Sequence, residues 1–183
     1  MTPPITINRA PVLTLWAAVV AERLGFDTDE ALTLGRAVAG LNAQSKGRHL
    51  GLLTARKPGE RAARKKRAAA SLEQVELLGR AVPVTHTPQG IRAAKDGEAD
   101  SPAAVRRYLE SKFGVSLPAA EKAMRSLAAS FTPAELAARA YELYEAFRPT
   151  IPAGVRGWGA KGALDLGRIT RLSKQKRVSR GTA

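Results

Sequence analysis

Five of the seven residues at 61–67 are cations: Arg61, Arg64, Lys65, Lys66 and Arg67. A second set, Arg171, Lys174, Lys176, Arg177 and Arg180, lies at 171–180. Across 46–70 nine Lys and Arg residues meet one acid, Glu60, and across 149–183 eight meet only Asp165. The rest of the chain is close to neutral, so these two blocks carry the formal net charge of +14. Cations clustered this way gain most from a polyanion, because each neutralised phosphate releases condensed counterions. The density exceeds what a solvated helix face needs for solubility. Within the second block Trp158 stands between Gly157 and Gly159, with Arg156 and Lys161 nearby. An exposed indole there could stack on an unpaired base, worth about 1–3 kcal/mol; the alternative is that it anchors the tail beside Leu164, Ile169 and Leu172.

Residue types suited to catalysis are sparse. His49 and His86 are the only histidines, and neither has an acid or hydroxyl partner at motif spacing. With no cysteine, disulfides and thiolate metal sites are excluded. Asp27, Asp29 and Glu30 read as acids at the start of a helix, where the dipole favours them, and not as general acids or bases. Ser45-Lys46-Gly47-Arg48 lacks the glycine pattern of a P-loop and follows a helix where a P-loop precedes one. The expectation is a protein that is not an enzyme and uses no cofactor or metal.

The elements that must carry these residues read as helices. Leu13, Trp16, Ala17, Val20 and Leu24 share a stripe, and Val12, Leu15 and Val19 cover a second face, so a helix over 11–24 belongs in a core. Its apolar run is too short to span a bilayer, and it continues in phase through Glu22 and Arg23, which argues for a buried helix in a cytoplasmic protein. Gly25 ends it. Asp27 and Glu30 have capping-box spacing at the next helix, whose stripe is Ala31, Leu34, Val38 and Leu41, with Gly35 and Gly40 suited to close approach. That helix is expected to stop near 45–48. A long helix is expected over 60–82, basic in its first half, followed by an irregular connection over 83–100 in which Val82-Pro83-Val84-Thr85 is extended. Helices then open at Ser101-Pro102, at Ser116 and at the capping box Thr132-Pro133-Ala134-Glu135, with Glu135 and Arg139 paired at i, i+4. The fold expected is all-α: a single helical bundle of about six helices over 1–148, with a basic helix extension. A Gly-rich, basic and partly disordered tail is expected over 149–183.

Within 104–127, Leu109, Phe113, Gly114-Val115-Ser116, Ala120, Ala123, Met124 and Leu127 resemble the helix-turn-helix motif of bacterial DNA-binding repressors. The resemblance is confined to residues 101–131. It implies a turn at Gly114, a second helix capped by Ser116, and phosphate contacts from Lys122 and Arg125. Two positions depart from the motif: Glu110 stands where a small residue is usual, and Leu117-Pro118-Ala119 offers no base-reading donor. The other reading of the same residues is a helical hairpin that only packs.

Together these features predict a non-catalytic nucleic-acid-binding protein, regulatory or architectural, held on DNA or RNA mainly through the phosphate backbone. Six phosphate contacts would give a log K against log salt slope of about −5. The alternative is a helical adaptor whose basic arms dock an acidic protein or a ribosomal surface. No membrane partner is expected.

Overall fold

The computed structural model describes residues 2–49, 73–157 and 159–181, with the side chains of 46–49 left aside. The order of elements is β1 (Ile5–Asn8), α1 (Arg9–Arg23), α2 (Thr28–His49), β2 (Glu73–Leu77), β3 (Arg80–Thr87), β4 (Gly90–Lys95), β5 (Glu98–Ala99), α3 (Pro102–Phe113), α4 (Leu117–Ala129), α5 (Pro133–Phe147), β6 (Lys161–Leu164) and α6 (Leu166–Gly181). A single 3-10 turn, Gly114–Ser116, separates α3 from α4.

Helix α1 is the centre of the core. Every residue from Pro11 to Ala21 is buried, consistent with a sequence apolar on most sides. Trp16 is fully buried, donates its indole N–H to the Ala140 carbonyl at 2.8 Å, and meets Phe147 edge-on at 5.3 Å between ring centres. Gly25, at φ +111°, releases the chain from α1. Asp27 and Glu30 then exchange backbone and side-chain hydrogen bonds as the capping box predicts. Gly35 does allow the close approach expected of it, lying against the α1 backbone at Thr14 and Ala18; Gly40 faces open space and has no such role. Among the described residues no helix is long and apolar enough to cross a membrane.

The all-α expectation is wrong. The chain is mixed α/β, with two antiparallel sheets alongside its helices. Strands β2, β3, β4 and β5 form an antiparallel meander in that order, with Val75 opposite Val82 and Val84 opposite Ala93. The helix expected over 60–82 is therefore not formed at 73–82, and the connection expected to be irregular over 83–100 is mostly strand. The physical reason is the pairing of β-branched residues on one face: Val82 and Val84 are buried, with Leu77 and Ala93 beside them, where the sheet packs over α2. Leu78 and Gly79, both at positive φ, turn β2 into β3, and Asp96 and Gly97 turn β4 into β5. The sheet is pinned to α2 by the Ala93 N–H on the Thr33 hydroxyl (3.0 Å) and the Ile91 N–H on the Glu30 carboxylate (3.2 Å). Helix α2 runs on to His49, past the stop expected at 45–48.

The region after Pro149 also departs from expectation. Instead of a partly disordered tail it supplies β6, which pairs antiparallel with β1 (Ile5 opposite Leu164, Asn8 opposite Lys161), and then α6. Leu164 and Ile169 are buried in the main core. Around residue 162, only glycine fits: a Cβ there would lie 2.7 Å from the Thr150 carbonyl oxygen.

Candidate nucleic-acid interface

Helix α6 carries six cations and no acid: Arg168, Arg171, Lys174, Lys176, Arg177 and Arg180. It forms because Asp165 stands before it and accepts the Gly167 N–H at 2.8 Å, which caps the first turn. Its inward stripe is Ile169, Leu172, Ser173 and Lys176, at helical spacing, with Ile169 and Ser173 buried and the other two half-buried. This stripe lies along α4, where the Ser173 hydroxyl donates to the Ser126 carbonyl at 3.2 Å.

The docking sorts the six cations. Lys176 and Arg180 both turn to Glu135, at 3.1 and 2.9 Å. That carboxylate also accepts the Thr132 N–H at 2.9 Å, and this bond, followed by Lys176, lowers its pKa from 4.5 to about 2. Arg171 pairs with Asp165 at 3.0 Å while remaining largely exposed. Among the described residues Arg177 makes one neutral hydrogen bond, to the Ser126 hydroxyl at 3.2 Å. Arg168 and Lys174 are exposed and, among the described residues, meet no acid. Arg168, Arg171, Lys174 and Arg177 thus share the solvent side of α6, spaced at i, i+3 over about 14 Å.

On α4, Lys122 is exposed one turn before Ser126, the residue that Arg177 touches, so the cation at 122 joins the edge of the same surface. Arg125 instead forms an ion pair with Glu22 of α1, which raises its pKa. It fastens α4 to the core, unlike the free phosphate contact expected. The turn expected at Gly114 is present, at φ +55°, but Ser116 does not cap α4: it is itself in right-handed helical conformation and makes no capping bond. Ser101 does cap α3, accepting the Ala104 N–H at 3.3 Å.

Of the other residues singled out, Arg61, Arg64, Lys65, Lys66, Arg67 and Trp158 lie outside the described residues, as do the side chains of Lys46, Arg48 and His49. His86 has a partner that sequence spacing conceals: its Nε2 lies 2.7 Å from a Glu73 carboxylate oxygen across the β2–β3 ladder, with both side chains exposed. The pair Glu135–Arg139 is not made; Arg139 pairs with Glu142 at 3.0 Å. Arg168 is the residue of this surface that sequence reasoning left out. The capping Asp165 was its signal, since a helix beginning there places Arg168 on the same side as Arg171. Compared with protein-family models, curated proteins and solved structures, the chain finds no significant match.

Proposed function

We propose that this protein binds nucleic acid without catalysing a reaction, using the outward side of α6 and the adjoining edge of α4. The observation that carries the reading is a helix of six cations and no acid, with four of its cations turned to solvent and two spent on a single carboxylate. Ordering the helix against α4 fixes the spacing of Arg168, Lys174 and Arg177 before any ligand arrives. This lowers the entropy lost when they meet phosphates. Contacts of this kind supply affinity and register with little base discrimination, since exposed α4 offers Pro118 and Ala119 where base-reading donors would stand. The cations of 61–67 act as a second, separate contribution.

Fluorescence anisotropy with short single-stranded and duplex DNA and RNA tests this. Micromolar binding is expected at about 50 mM salt. Changing Arg168→Gln, Lys174→Gln and Arg177→Gln together should weaken it at least about tenfold, with no change in the circular dichroism spectrum. Absence of micromolar binding to every probe overturns the proposal.

A further inference from the structure

A cleft of about 570 Å³ opens between the first turn of α2, the β3–β4 turn and the N-terminal half of α3. Its volume lies within the roughly 300–1,000 Å³ typical of small-ligand sites. Three arginines are among its lining residues, Arg92 from β4 and the exposed Arg106 and Arg107 from α3, together with the acids Asp29, Asp100 and Glu110.

Arg92 is the unusual member. Its side chain is 7% exposed, yet among the described residues its guanidinium makes one hydrogen bond, from Nη1 to the neighbouring Ile91 carbonyl at 2.8 Å. The nearest carboxylate, Asp29, is 3.9 Å from Nη2, outside hydrogen-bonding range. Asp27 feels Arg92 through space, but its carboxylate already accepts the Glu30 N–H at 2.8 Å. A largely buried cation with one neutral hydrogen bond and one loose counter-charge is better satisfied when an anion completes it. Among the described residues no fully buried side-chain nitrogen lacks a partner, so the unused donors of Arg92, a residue that lines the cleft, keep some contact with solvent.

The start of α3 adds a backbone donor to the same wall. Ser101 takes the Ala104 N–H and Pro102 has none, which leaves the Ala103 N–H over at the lining of the cleft. The acids present set the rest of the ligand. Asp100 accepts the Ser101 N–H through Oδ1 at 3.0 Å, whereas Asp29 and Glu110 remain as acceptors, and Gln89 also lines the cleft.

We infer that this cleft is a binding site for a small phosphorylated molecule. Its phosphate lies against Arg92, Arg106, Arg107 and the Ala103 N–H, and its hydroxyl or amino donors meet Asp29 and Gln89. Several guanidinium donors and an amide suit the three oxygens of a phosphomonoester. The site is larger than inorganic phosphate alone requires. It is built from elements other than α6 and stands or falls independently of nucleic-acid binding.

Titration calorimetry with inorganic phosphate and with adenosine 5′-monophosphate, at constant ionic strength, tests the inference. The nucleotide should bind at about 1 mM or tighter, and more tightly than phosphate. Arg106→Gln with Arg107→Gln, both exposed and free of structural contacts among the described residues, should weaken it at least about tenfold. The α6 triple variant should bind it as the unaltered protein does. No binding of either probe, binding unaffected by the Arg106 and Arg107 changes, or equal loss in the α6 variant would each overturn the site.

Discussion

At Glu135 one carboxylate accepts the amide that starts its own helix and also meets Lys176 and Arg180 of α6. Its pKa falls from 4.5 to about 2, so the folded state binds this proton less readily than the unfolded chain. The stability it contributes is complete above about pH 5 and is lost as pH falls towards 2. Thermal unfolding followed from pH 6 to pH 2 should show the loss in the unaltered protein and a flatter profile in Glu135→Gln. The capping role of Glu135 was legible in Thr132-Pro133-Ala134-Glu135, because three-residue spacing is a local property. Its ionic partners were not, because they stand more than forty positions along the chain and reach Glu135 only once α6 lies on α4. The same limit hid Glu22 from Arg125 and Glu73 from His86.

Two glycines of α2 separate packing from conformational freedom at the scale of an element. A Cβ on residue 35 would lie 2.5 Å from the Thr14 carbonyl oxygen and 2.8 Å from the Ala18 nitrogen, both backbone atoms that cannot step aside. Gly35→Ala should therefore cost about 1–3 kcal/mol by forcing α1 and α2 apart. At residue 40 a Cβ meets nothing within 4 Å, and Gly40→Ala should stabilise α2 by about 0.5–1 kcal/mol. Urea unfolding of both variants measures the contrast. Helices α1, α3 and α5 were legible from local signals: the apolar stripe and Gly25 for α1, Ser101-Pro102 and Gly114 for α3, and the Thr132 capping box with its apolar stripe for α5. The meander was not. Asp96-Gly97 is a hairpin signal, and Val82 to Val84 alternates as a strand should, but Ala- and Glu-rich surroundings favour helix and the turn through Leu78 carries no local signature. Pairing with β4 and cover by α2 decide the conformation there, and both are tertiary facts.

For the whole molecule, the decisive connection joins distant parts of the chain. Strand β1 pairs with β6, and Ile7, 2% exposed, sits beneath that pair in the main core. Ile7→Ala should cost about 2–5 kcal/mol and speed amide exchange over 161–164, readable by mass spectrometry after deuterium labelling. Through β6 this junction also sets where α6 begins, so the basic helix is held by the fold from its first turn. The sequence displayed the charge of 149–183 plainly but not its order, since the apolar anchors Leu164 and Ile169 are few and their partners lie in other elements. The central claim is that outward cations of α6 and α4 meet nucleic-acid phosphates, and the salt dependence of binding tests it most directly. Removing Lys122, Arg168, Lys174 and Arg177 as Gln substitutions should make the slope of log K against log salt shallower by about 3, at roughly 0.7–0.9 per phosphate contact. An unchanged slope in that variant would contradict the account.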